Sequence, residues 1–142
     1  MKYKPNNKNG GNNMENKEIF MVEDDVNLIK KMTSDNGSVY GSNRKYFEQL
    51  IKEVSRATVI KKEQAPAGLV RINSKVEIID EQSGEKTIFK LVLPQEASPD
   101  DDKVSVLAPI GTAVIGYREN DVIEWKVPLG IMRIRLNKVE NP

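Results

Sequence analysis

Carboxylates are the side chains in this sequence whose spacing could do chemistry, and they fall in three places. Glu23-Asp24-Asp25 opens a helix-like stretch, Asp100-Asp101-Asp102 follows Ser98-Pro99, and Asp35 sits in Ser34-Asp35-Asn36-Gly37-Ser38. The first run could be a catalytic acid cluster and the second a metal site. Plainer readings serve both. Acids favour the first turn of a helix, where the backbone dipole is positive. Around 100–102 no partner ligands are spaced as a hard-cation loop requires, which leaves a solvated loop. Asp35 reads as an ordinary turn residue, with a functional role at a hairpin tip as the sharper alternative. The chain has no Cys and no His. Disulfides, thiolate nucleophiles, Cys/His zinc sites and Ser-His-Asp or Cys-His catalysis are thereby excluded. We expect no catalytic residue, no metal site and no cofactor.

The elements that would position such residues change character along the chain. Its 142 residues are 38% hydrophobic and 30% charged, enough for one domain or a small domain with an appendage. No apolar run approaches the roughly 20 residues of a bilayer span, and no apolar segment follows MKYKPNNKNGGNNMENK, so no membrane association is expected and the cytoplasm is the expected location. A formal charge of +1 argues against broad electrostatic binding to nucleic acid, and no sequence-specific contact with it is expected. Residues 1–17, rich in Asn, Lys and Gly, carry little to bury and read as a flexible leader.

Over 18–60 the pattern is helical. Val22, Val26, Ile29 and Met32 mark a first stripe that should stop near Thr33. Gly41-Ser42-Asn43 offers a cap for a second helix, whose stripe is Phe47, Leu50, Ile51 and Val54. Arg44, Lys45, Glu48, Lys52 and Glu53 fall on its other face. Two short helices with a brief connector predict an antiparallel helical hairpin.

Ala65-Pro66-Ala67-Gly68 breaks that pattern, and from 65 to 142 the sequence reads as β. Val70 to Ile78 alternates with polar residues, Gln82 to Glu85 is a turn, and Thr87 to Leu93 completes a hairpin. Val104 to Leu107 is a third strand, and Pro109 to Gly116 suits a short helix with Pro in its first turn and Gly at its end. Val122–Val127 and Met132–Val139 form a closing hairpin across Pro128-Leu129-Gly130, with Arg133 and Arg135 on a wet face. The predicted class is α+β: a short N-terminal antiparallel helical hairpin, then an antiparallel sheet domain with one short helix. Trp125 reads as a core anchor in a strand; stacking on a ligand is the alternative.

At Val104 a longer motif begins. VSVLAPIGTAVIGYRENDVIEWKVPLG resembles the signature of the GreA/GreB C-terminal domain, and VRINSKVEIIDEQSGEKTIFKLVLP resembles that family's first strands, including Asn73-Ser74. Ala108-Pro109 in place of the usual Ser-Pro, together with the short helices, points to the Rnk branch. Asn120 stands where the family usually has Gly, a position that wants φ > 0, and Leu129 replaces the first Gly of a Gly-Gly pair.

The resemblance implies an FKBP-like fold for 65–142 and docking at the secondary channel of RNA polymerase. By the same likeness Ser105, Ala108, Pro109 and Ile110, with Arg118 nearby, are candidate polymerase contacts. Gre factors carry two acids at a long coiled-coil tip that help to hold a catalytic magnesium ion. Here the tip has the single carboxylate of Asp35. The expected function is therefore polymerase binding without transcript cleavage, and the chain is not expected to be an enzyme. The alternatives are Gre-type cleavage assistance and an FKBP-type prolyl isomerase, the latter resting on fold analogy alone.

Overall fold

The computed structural model describes residues 18–36 and 44–142. The leader at 1–17, the cap at Gly41-Ser42-Asn43 and the Gly37-Ser38 part of the connector lie outside the described residues.

The helical stripes do what their spacing requires. Helix α1 (Glu23–Asn36) has Glu23, Asp24 and Asp25 in its first turn and buries Val26, Ile29 and Met32. It continues past Thr33, so Ser34, Asp35 and Asn36 belong to its last turn rather than to a free connector. Ser, Asp and Asn cost a helix only about 0.7 kcal/mol or less each relative to Ala, too little to force a stop. Helix α2 (Arg44–Arg56) buries Phe47, Leu50 and Val54. Glu53, assigned above to the wet face, is 4% exposed. It borders the Leu50–Val54 stripe and is neutralised there by Arg56, as described below.

Two short strands were not foreseen. β1 (Phe20–Val22) and β2 (Thr58–Ile60) pair in parallel, and the Thr58 N–H donates to the Ile19 carbonyl. Three residues carry too little period-2 signal to be told from helix flanks, so Val22 read as part of the first stripe.

The larger sheet contains β3 (Lys75–Asp80), β4 (Lys86–Val92), β5 (Lys103–Ser105), β6 (Val122–Val127) and β7 (Gly130–Glu140), in the order β5-β4-β3-β7-β6. It is mixed, not antiparallel: β5 runs parallel to β4. Two 3-10 turns, Pro94–Glu96 and Pro99–Asp101, followed by Asp102 in the left-handed region, carry the chain back to the level of Lys90, where β5 begins beside β4. The strand expected from Val70 begins only at Lys75. Asn73 takes φ 78 and turns the backbone, while Val70 bonds instead to the Tyr117 carbonyl. A register shift between Glu77 and Ile78 lets Leu136 and Val139, three residues apart, both face the core. Asn120 takes φ 79, the conformation its position was expected to demand.

One core results. Val76, Ile78, Phe89, Leu91, Ile123 and Ile134 of the sheet share a cluster with Val26, Ile29, Phe47 and Leu50 of the two helices. Helix α3 (Pro109–Val114) packs on the same face, with Gly111 to Val114 buried. Arg133 and Arg135 lie on the opposite, wet face, paired with Glu124 and Glu81. Among the described residues no helix is long and apolar enough to cross a membrane.

Candidate functional site

The segment from Ser105 to Thr112 is wound tightly onto itself. Ser105 Oγ accepts from the Leu107 N–H at 2.9 Å, and the Ser105 carbonyl accepts from the Ala108 N–H at 2.9 Å. Thr112 Oγ1 donates to the buried Val106 carbonyl at 2.7 Å, and the Thr112 N–H bonds to the Ala108 carbonyl. Pro109 fixes its own φ and keeps Ala108 extended at φ −66, ψ 149. Gly111 is required by space rather than by φ: a Cβ there would lie 2.2 Å from the Ser105 carbonyl oxygen. The outcome is a stiff loop with Pro109 exposed and Ser105, Ala108 and Ile110 half-buried.

Beside this loop the core face of the sheet is left uncovered. An open groove of about 360 Å³ lies between the β6–β7 hairpin and the β5 side. Its walls include Phe89, Val104, Ile110, Trp125, Met132 and Ile134. Trp125 and Met132 are cross-strand partners. Asp80, Glu85 and Asp102 also line it, and among the described residues no Lys or Arg does. Asp80 Oδ1 accepts from the Gln82 N–H and so holds the β3–β4 turn.

The structure thus brings Ile110 and Trp125 together. Trp125 is half-buried, packing on the core while lining the groove. Arg118 is not brought to the same place. It lies beyond the other end of α3, bridged to Leu69, with its N–H donating to Asp121 Oδ2. Asp35 is in the last turn of α1. Among the described residues no group of three or more acids could hold a metal ion. Asp101, in the second acidic run, instead accepts from Ser98 Oγ.

Two carboxylates that sequence reasoning left on the surface tie the helices to the sheet half. Asp25 is 5% exposed, and its Oδ2 accepts from the Ile72 N–H at 3.1 Å. Burial pushes its carboxyl up to about 6, against the lowering effects of that hydrogen bond and of the Arg71 charge. Glu53 accepts from Arg56 Nε at 3.0 Å, and Arg56 Nη2 donates to the Tyr117 hydroxyl at 3.0 Å. Burial raises the Tyr117 phenol above its ordinary range, with the Arg56 charge opposing.

Known proteins resemble this chain in sequence and in fold. The sequence profile of the family described as transcription elongation factor GreA/GreB, C-terminal, matches residues 65–141. The Escherichia coli K12 regulator of nucleoside diphosphate kinase is 33% identical over 84 residues, covering 59% of this chain and 62% of that protein. Transcription elongation factor GreA of Chloroflexus aggregans is 35% identical over 86 residues, covering 61% of this chain and 55% of that protein. The chain therefore spans less than two thirds of the length of these relatives. A GreA/GreB structure from Nitrosomonas europaea superposes with a TM-score of 0.67 at 29% identity, over 87% of this chain and 98% of that one. With the match running over residues 65–141, from ahead of β3 through the Ser105–Ile110 loop to the last strand, the chain belongs to the GreA/GreB C-terminal-domain family.

Proposed function

We propose that this chain is a cytoplasmic RNA-polymerase-binding transcription factor of the GreA/GreB–Rnk type. It docks at the secondary channel through the Ser105–Ile110 loop and does not promote transcript cleavage. The observation that carries the reading is the loop itself, within the family match. Its backbone is held by internal hydrogen bonds and by Pro109, so it loses little entropy on docking. Ala108 is small and half-buried and lets a partner backbone come close.

The absence of cleavage rests on reach and charge. The 14 residues of α1 rise about 20 Å, and a Gre-type coiled coil needs roughly twice that. Asp35 supplies one carboxylate, where a magnesium clamp needs more than one. The FKBP-like description of the sheet half and the short helical hairpin belong to this same reading. Cleavage assistance is the second reading, favoured by GreA relatives that match as well as the regulator of nucleoside diphosphate kinase does.

Ala108→Glu tests the docking loop. It places a charge at the contact and should weaken binding to core RNA polymerase by about 2 kcal/mol, with an unchanged circular dichroism spectrum. Native folding with unchanged affinity removes the loop from the interface. Adding the intact chain to a backtracked elongation complex tests the rest: release of short RNA dependent on Asp35 would replace the non-cleaving reading with the second one.

A further inference from the structure

We propose that the wet face of the larger sheet carries a binding site for a linear oligophosphate, built on Lys75, Lys90 and Lys103. The site lies on the face opposite the core and is independent of the polymerase-binding reading. Three observations carry it.

First, the three lysines form one row. Lys90 on β4 is the direct cross-strand partner both of Lys75 on β3 and of Lys103 on β5. Direct partners share a face, and their chain neighbours Val76, Phe89 and Leu91 are buried in the core, so the lysines stand on the other side. At about 4.8 Å from strand to strand, the row is about 10 Å long. Like charges directly opposite one another destabilise a sheet. Protection of an exposed edge accounts for Lys103 on the edge strand β5, but β4 and β3 are interior strands.

Secondly, the row lacks the counter-charge that the rest of the face has. Lys86, Arg133, Arg135 and Lys138 each lie within 4.0 Å of an acid. Among the described residues no acid lies that close to Lys75, Lys90 or Lys103. The neighbouring acids are committed elsewhere. Glu77 accepts from Asn137 Nδ2 and faces Lys86, and Glu140, opposite Lys75, pairs with Lys138. Asp102 lines the groove on the core face.

Thirdly, one end of the row is concave. Lys90 and Lys103 line an open basin of about 690 Å³ with Asn73, Val92, Glu96 and Pro142. Asn73, held at φ 78, presents an exposed side-chain amide that can donate to an oxyanion. Lysine ammonium groups bind phosphate as point charges, so a row of them suits a chain of phosphates better than a single one. No aromatic ring lines the basin, so recognition rests on phosphate and not on a base. Glu96, exposed at the wall, opposes an anion there.

The test uses the full chain and inorganic triphosphate, titrated by calorimetry at low salt and followed in parallel by thermal unfolding. Binding should saturate and should raise the melting temperature. Orthophosphate at equal ionic strength should bind about tenfold more weakly. Lys90→Gln, at the centre of the row, should weaken triphosphate binding about tenfold, and Lys75→Gln and Lys103→Gln about threefold each. Glu96→Gln should strengthen it about twofold. Lys86→Gln removes the same charge from the same strand but off the row, and should leave binding unchanged. The row variants relieve repulsion, so their circular dichroism should be native. ATP should bind as inorganic triphosphate does.

No saturable binding of triphosphate rejects the site. Equal losses with Lys86→Gln and Lys90→Gln reject it in favour of diffuse surface charge. Equal affinity for orthophosphate and triphosphate removes the row as the recognition element. ATP binding much tighter than triphosphate means that a base is recognised, and overturns a site for phosphates alone.

Discussion

The groove and the seam between helices and sheet are built from opposite materials. The groove is apolar and open, with charge only at its edge: Trp125, Met132 and Ile110 line it, and carboxylates stand beside them. The seam is closed, and alongside its apolar packing it buries charged groups. Asp25 accepts from the Ile72 backbone at one point, and Glu53, Arg56 and Tyr117 form a chain of hydrogen bonds at another. Apolar contact is non-directional, so it tolerates a partner that arrives and leaves. Buried hydrogen bonds are directional and costly to leave unmade, so they hold two parts of one chain in a single relation. The comparison teaches that charge lies in the interior where two segments of the chain are held in one relation, and at the edge where apolar surface is left open.

The largest expected effect breaks the open side. Gly111→Ala forces a methyl against the Ser105 carbonyl, 2.2 Å away, and neither backbone can yield without unwinding the loop. We expect a loss of about 3 kcal/mol in denaturant unfolding and loss of polymerase binding. A variant of native stability would show that the loop has slack.

Next comes the seam. Glu53→Ala removes the buried carboxylate to which Arg56 Nε donates and should cost about 2 kcal/mol, less than a fully buried pair because the Arg56 side chain is 23% exposed. Polymerase affinity of the folded fraction should be unchanged. A stability loss below about 0.5 kcal/mol would place this pair with ordinary surface ion pairs.

The smallest effect carries the opposite sign. Burial holds the Asp25 carboxyl at about 6 in the folded chain, against an ordinary value of 3.8. The folded state therefore keeps a proton that the unfolded chain has released. The stabilisation is complete below the ordinary value, fades as pH rises towards 6, and is gone above it. At neutral pH the ionised carboxylate is a liability of about 3 kcal/mol. Asp25→Asn keeps an oxygen for the Ile72 N–H and should stabilise the chain by about 1 kcal/mol at pH 7. The stability difference between parent and variant should narrow on acidification through pH 6; a difference constant with pH would show that Asp25 does not titrate there.

The helical stripes at Val26–Met32 and Phe47–Val54, the β3–β4 and β6–β7 hairpins, and the Pro109 helix were legible because each rests on local period, turn chemistry or a proline. The left-handed Asn120 was legible for the same reason: its conformation is set by a few adjacent residues. What depends on residues distant in sequence was not. The parallel pairing of β5 with β4 and of β1 with β2 follows from where long connections return. The burial of Asp25 and Glu53 follows from what is packed against their helices, since a first-turn acid and a stripe-edge glutamate look like surface residues until the sheet arrives. The groove is the clearest case. Period-2 alternation puts Trp125 and Ile123 on one face, but only the assembled sheet shows that Ile123 is covered and Trp125 is left at an opening. Sequence alone determined the longer helices and hairpins and the motif that runs through them, because those choices are local. Tertiary structure alone decided which charges are buried and which apolar surface stays open, because both depend on contacts between segments far apart in the chain.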